Sequence, residues 1–170
     1  MIRRPHTDRD LSRAELELAA VDLLHRREEW EEHVFHDPDG ARTYHQLHRD
    51  DHVEAWLICW NDGNDTGFHD HDSSNGAVGV ADGRVREETL ALAGDPVVRE
   101  VGPGGVFSFD ATDIHRVLHT GAEAAVTLHL YSPPLRRMGA YEVLADGRLA
   151  RRSISAEQEL GVAPEAVPTA

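Results

Sequence analysis

Along the first third of the chain apolar residues recur at helical spacing, and beyond it they alternate. Ser12-Arg13-Ala14-Glu15 has the form of a capping box. It opens an amphipathic stretch from Ala14 to about Phe35, in which Leu16, Ala19, Leu23, Trp30 and Val34 recur every three to seven residues. One or two helices are expected there, ending before the turn Asp37-Pro38-Asp39-Gly40. From that point short β-branched or aromatic runs are separated by Gly, Asp and Pro: 52–60, 77–81, 84–92, 97–101, 105–109, 115–119, 125–131 and 140–144. Such runs predict an antiparallel sandwich or barrel. Ala81-Asp82-Gly83-Arg84 and Ala145-Asp146-Gly147-Arg148 place Asp-Gly between strand-like runs, which predicts two tight hairpins. The organisation expected is a single domain: a helical segment over 8–36, a β-barrel over 40–152 and a tail over 153–170 whose end, Val162 to Ala170, frays.

Length and charge narrow the function. A chain of 170 residues with 40% hydrophobic positions supports one core. Its 31 carboxylates against 17 Lys and Arg give a net charge of −14, which repels phosphate backbones and anionic lipid heads, so no nucleic-acid or membrane partner is expected. Apolar runs long enough for a signal or a membrane span are missing, and a cytoplasmic protein is expected, a monomer or a weak homo-oligomer. The single cysteine, Cys59, lies in the apolar run Ala55–Trp60 and reads as a buried structural thiol.

Within the β region, His69-Asp70-His71 puts two imidazoles at i and i+2, on the same face of a strand. A metal can take both if a neighbouring strand supplies a third donor, and His115, in Asp113-Ile114-His115-Arg116-Val117, is the candidate. Spacing alone leaves open a hydrogen-bonded structural trio. Asp70, between the two, is expected to point away from such a site and to serve the loop or strand pairing. His6, His25, His33, His36, His45, His48 and His52 fall in polar stretches, where a solvated side chain is the default.

Thr127-Leu128-His129-Leu130-Tyr131 alternates strictly, with hydroxyl, imidazole and phenol on one face and the leucines, with Val126, on the other. If the polar face is inside, the three groups can satisfy one another and orient the phenol toward a ligand. If it is outside, they meet water. The pattern alone does not choose.

Gly63-x5-His69-x-His71-x4-Gly76-x6-Gly83 follows the first cupin motif at every spacing, with Gly76 where most cupins carry a glutamate ligand, and Gly104 through His115 keeps the second motif. Together with Leu57-Ile58-Cys59-Trp60, Ile114-His115-Arg116-Val117 and Thr127 through Pro134, this resembles the cysteine dioxygenase family over roughly residues 40–145. The resemblance implies a mainly β cupin fold, a double-stranded β-helix or jelly-roll barrel, with N-terminal helices. It implies a mononuclear non-heme Fe(II) centre held by His69, His71 and His115, and the oxidation of a small thiol by O2 to a sulfinic acid, with L-cysteine first and 3-mercaptopropionate or another small thiol as alternatives. A non-catalytic small-ligand-binding cupin is the other reading. Tyr131, held by His129 with Thr127 behind it, is implied to hydrogen-bond to oxygen or substrate, Thr127 replacing the usual serine.

Two departures from the family stand out. Gly76 occupies the position of the cysteine that mammalian members cross-link to the tyrosine, so that thioether cannot form here. The arginine that reads the substrate carboxylate in a Tyr-x-Arg-x-Leu segment is missing: Thr43-Tyr44-His45-Gln46-Leu47 gives His45 when aligned on the leucine and Gln46 when aligned on the tyrosine. Arg42 or Arg49 could supply the guanidinium from an adjacent position, since neither His nor Gln offers a bidentate fork.

Overall fold

The run Glu54 to Trp60 is buried at every position, and the reason organises the molecule. Trp56, Ile58 and Trp60 face one apolar cluster, while Ala55, Leu57 and Cys59 face a second. A strand covered on both faces has no need of polar alternation. The first cluster is the interior between two sheets, and the second lies between one sheet and an N-terminal helix.

The computed structural model describes residues 8–146 and 148–156. Helix α1 spans Arg13–His25, followed by two 3-10 turns at Arg27–Glu29 and Glu31–His33. The strands are β1 Thr43–Arg49, β2 Glu54–Trp60, β3 His69–Asp70, β4 Asn75–Asp82, β5 Val85–Thr89, β6 Val97–Val101, β7 Val106–Phe109, β8 His115–His119, β9 Ala125–Ser132, β10 Arg137–Val143 and β11 Leu149–Ser155. They form two antiparallel sheets, in the orders β1-β2-β9-β4-β7 and β11-β10-β3-β8-β5-β6.

α1 starts where the capping box placed it, with Ser12 and Glu15 closing it reciprocally. Leu16, Ala20 and Leu23 form its buried stripe, packed with Val126, Leu128 and Leu130 of β9. The helix is shorter than the apolar spacing predicted. It ends at His25, and Trp30 reaches the core through the 3-10 turns, its indole nitrogen donating to Leu23 O at 3.0 Å. Phe35, at the end of the predicted stretch, is exposed.

One hairpin prediction also fails. Gly83 has the positive φ (+69°) expected of a tight turn, but β4 and β5 on either side belong to different sheets and do not pair. Asp82-Gly83 is a corner at which the chain crosses between sheets, because the turn chemistry is local and the choice of partner strand is not. The second hairpin forms, with β10 pairing β11 from Arg137↔Ser155 to Val143↔Leu149; its Gly147 lies outside the described residues.

Candidate metal centre

β3 pairs with β8 so that His69 stands directly opposite His115, and the chain turns just past β3 to bring His71 beside both. Ring centroids are 4.7 Å apart for His69 and His115, 4.8 Å for His69 and His71, and 5.1 Å for His71 and His115. One nitrogen from each lies within 4.8 Å of the others, and all three side chains are buried.

Hydrogen bonds decide which nitrogens remain. His69 Nδ1–H donates to Gly67 O at 2.9 Å, and His115 Nδ1–H donates to Glu87 Oε1 at 2.8 Å, leaving Nε2 of each ring. Among the described residues His71 has no partner on either nitrogen, and His115 Nε2 has none. Burial holds the group uncharged. It lowers His69 to about 3, with the neighbouring His115 adding to the effect, and lowers His115 to about 4 against the pull of Asp113. It takes His71 well below the ordinary imidazole value. Buried polar atoms without partners cost about 1–3 kcal/mol each, and a cation bound by these nitrogens would repay that cost. The donors present therefore fit a divalent metal with nitrogen preference.

Glu87 was not singled out from the sequence. It lies on β5 opposite Val117 of β8, 1% exposed, with Arg99 Nε 2.7 Å from its Oε2. Burial pushes its carboxyl up to about 7 although Arg99 opposes the shift. The available signal was a carboxylate in register with the inward Val85. Asp70 points away from the imidazoles, as expected. It accepts from Tyr141 Oη at 2.6 Å, from Arg151 Nε and Nη2 at 2.7 and 2.9 Å, and from Gly139 N at 3.2 Å, which fastens β10 and β11 to the strand carrying His69.

Across the interior, Thr127, His129 and Tyr131 point inward from β9 and are at most 4% exposed, which rules out the solvent-facing alternative. Thr127 Oγ1 lies 2.8 Å from His129 Nε2, and His129 Nδ1 lies 3.1 Å from Tyr131 Oη. Burial holds His129 down at about 3, uncharged. The Tyr131 ring stands 5.3 Å from that of His71. A narrow cavity of about 20 Å³, room for about one water, joins the two groups, with Arg42, Tyr44, Val78, Phe109 and Met138 among its walls.

Phe109 explains Gly76. The two residues are paired across β4 and β7, and a Cβ at position 76 would run into the Phe109 ring. That ring packs 4.4 Å from His71 and 4.3 Å from His115, so an aromatic wall stands where a residue at 76 would project.

Of the four candidates for binding a substrate carboxylate, Arg42 lines the cavity, its guanidinium over the rings of Tyr44 and Trp60 at 5.7 and 5.2 Å. The other three do not line it. His45 is exposed and stacks on His33 at 3.8 Å, Gln46 reaches Glu54 at 3.5 Å, and Arg49 is ion-paired with Glu54 at 2.6 Å.

The family model described as cysteine dioxygenase type I matches residues 11–143, a span holding all three imidazoles and the β9 ladder. The chain belongs to the cysteine dioxygenase type I family. Cysteine dioxygenase type 1 of Homo sapiens is 29% identical over 97 residues, and that of Danio rerio 26% over 96, each match covering 51% of this chain and 48% of the relative. The chain thus matches about half the length of these curated relatives. Among solved structures it is similar in fold to KdgF from Halomonas sp. (TM-score 0.52, 17% identity, 62% of this chain and 92% of that one). It is also similar to a cupin superfamily protein from Desulfitobacterium hafniense (TM-score 0.52, 14% identity, 61% and 87%). These likenesses make the two-sheet barrel a cupin, as its motifs implied. Among the described residues no helix is long and apolar enough to cross a membrane.

Proposed function

We propose that this family member is a mononuclear non-heme iron thiol dioxygenase, adding both atoms of O2 to the sulfur of a small thiol. L-cysteine, giving cysteine sulfinate, is the first candidate substrate and 3-mercaptopropionate the second. One observation carries the reading: three buried, uncharged imidazoles converge with unpartnered nitrogens on a cavity whose other wall is a phenol held by a histidine.

His69, His71 and His115 would hold the iron through nitrogen. Bound there, Fe(II) supplies Lewis acidity that lowers a thiol pKa and a redox centre able to engage O2. Three neutral donors leave the charge of the ion uncompensated by the protein, which favours an anionic thiolate in the cavity. A carboxylate ligand at position 76 would reduce that preference, and the Phe109 ring leaves no room for one.

The remaining work falls to the protein. Arg42, at the cavity wall, would take a substrate carboxylate, and its planar fork suits two parallel hydrogen bonds. The rings under it restrict its rotamers, which lowers the entropy lost on binding. Tyr131, which lines the same cavity, would donate a hydrogen bond to oxygen or sulfur as negative charge develops there. Val78, Phe109 and Met138 keep water from the reacting atoms. A ligand larger than water requires the flexible Met138 side chain to yield. The reaction balances without an outside reductant: the O–O bond breaks, two S–O bonds form, and the electrons come from sulfur.

The test is anaerobic loading of the purified chain with Fe(II), followed by O2 and separate additions of cysteine, cysteamine and 3-mercaptopropionate. A mass gain of two oxygens on at least one thiol is expected. Stoichiometric iron with all three thiols unchanged would overturn the proposal. With the accepted thiol carboxylate, Arg42→Ala is expected to raise KM about tenfold or more by removing a charge-assisted contact.

A further inference from the structure

Trp60 closes the Leu57–Trp60 motif, and the function described so far uses only its ring face, under Arg42, and not its indole N–H. Its side chain is fully buried, and its Nε1 lies 2.7 Å from Thr127 Oγ1, the far end of the ladder from Tyr131. The four groups form one line: Trp60 Nε1 to Thr127 Oγ1, Thr127 Oγ1 to His129 Nε2 at 2.8 Å, and His129 Nδ1 to Tyr131 Oη at 3.1 Å.

An indole N–H can only donate. Thr127 Oγ1 therefore accepts from Trp60, and its own hydrogen has two possible destinations. One is His129 Nε2 at 2.8 Å; the other is Ile58 O at 3.5 Å, beyond the range of a good O–H···O bond. In the first arrangement Nε2 is an acceptor, the ring hydrogen sits on Nδ1, and Nδ1–H donates to Tyr131 Oη. In the second the ring hydrogen sits on Nε2, and Nδ1 takes the phenol's hydrogen. A hydroxyl that is accepting one hydrogen bond becomes a stronger donor and a poorer acceptor of a second. The indole thus favours the first arrangement twice over, by occupying a Thr127 lone pair and by polarising its O–H.

We propose that Trp60 is a positioning residue that sets the direction of the hydrogen-bond chain, so that every bond runs from indole to phenol and the hydrogen of Tyr131 is not spent on His129. The consequence is that Tyr131 enters the cavity as a donor. With the chain reversed, the phenol would give its hydrogen to His129 and present only lone pairs to a thiolate or to reducing oxygen, which would repel them. Its catalytic meaning rests on the proposed thiol oxidation, but the direction of the chain can be read without it.

The test uses metal-free protein with ¹⁵N-labelled histidine, in which the two ring nitrogens of His129 are assigned by NMR. The unsubstituted chain is expected to carry the ring hydrogen of His129 on Nδ1, with Nε2 at an acceptor-type shift. Trp60→Phe removes the donor while keeping an aromatic ring under Arg42, and Nε2 is expected to move toward the protonated-type shift as the second arrangement gains population. Hydrogen on Nε2 in the unsubstituted chain, or identical shifts in Trp60→Phe, would overturn the proposal. Thr127→Val, which keeps the indole, is a second variant: His129 is expected to retain its Nδ1–H form, whereas a chain of the opposite direction would flip it, since Nε2–H would lose its acceptor. In the iron-loaded protein, Trp60→Phe is expected to lower kcat severalfold with KM little changed, and to have no further effect in a Tyr131→Phe background. An equal loss in both backgrounds would assign Trp60 to packing alone. Loss of thiol oxidation in every form, with the tautomer as stated, would count against the proposed reaction and leave the chain direction standing.

Discussion

Two polar arrays face each other across the interior, and they differ in what they leave undone. On β9, Thr127, His129 and Tyr131 are bonded to one another, and Trp60 completes the line. On the opposite sheet, His69 and His115 are each fixed at one nitrogen, by Gly67 O and by Glu87, while His71 is bonded at neither. The closed array is arranged for orientation and the open one for a ligand. Burial denies charge to both, so the difference lies in hydrogen bonding and not in ionisation.

Removing the phenol hydroxyl is expected to separate the two arrays most sharply. Tyr131→Phe should lower kcat by about 10²–10³-fold, the loss associated with one preorganised donor, with iron content unchanged. Comparable loss of iron would show that the ladder and the imidazoles are not distinct in role. Glu87→Gln tests how the open array is held: iron affinity should weaken by about 10–100-fold while the melting temperature of the metal-free chain changes little. Affinity within a factor of two of the unsubstituted chain would leave the carboxylate a structural partner of Arg99 only.

A third pair of variants sharpens the contrast through stability alone. In metal-free protein His129→Leu should cost about 2 kcal/mol, because it breaks two buried hydrogen bonds, to Thr127 and to Tyr131, whereas His71→Leu should be neutral or stabilising, because it removes two unpartnered nitrogens. Denaturant unfolding measures both, and equal costs would contradict the distinction. The smallest effect concerns the outer fastening. Asp70 is held well below the usual carboxylate range by the guanidinium of Arg151 and the Tyr141 hydroxyl, against a burial that opposes them. Since its folded-state pKa is depressed, its contribution is complete above its ordinary value of 3.8 and is lost as the pH falls below that. Asp70→Asn should therefore cost about 1–2 kcal/mol at pH 7, given the partial exposure of Arg151, and should reduce the acid sensitivity measured between pH 5 and about 2.

The legible part of the site was the part written in local spacing. His69 and His71 at i and i+2, and Thr127, His129 and Tyr131 at every second position, reveal a shared face without knowledge of the partner strands. What the sequence hid depends on which strands meet. Glu87 sits among Arg86, Glu88 and Thr89, a polar run whose one mark of an inward position is the spacing from Val85. The donor role of Trp60 exists only because β2 pairs with β9, bringing Ile58 opposite Thr127. The same limit applies to the fold. β1 was not predicted as a strand because it lies at the edge of its sheet and mixes polar with apolar positions, as in Thr43–Arg49, and β11, an edge strand of the same mixed kind, was implied only as the far arm of the second hairpin. Asp82-Gly83 was read as a hairpin because the turn is encoded in two residues and the crossing of sheets by the whole topology. The helix was overextended because Trp30 lies seven residues after Leu23, a spacing that a helix and a pair of 3-10 turns both satisfy.

The central claim is that the open array binds one Fe(II) through His69, His71 and His115, and anaerobic titration of metal-free protein with Fe(II), counting iron retained per chain, tests it most directly. The account predicts a single equivalent for the unsubstituted chain, its loss in His69→Ala, His71→Ala and His115→Ala alike, and its retention in His129→Ala. Full retention after removal of any of the first three imidazoles, or loss on removal of the fourth, would contradict it.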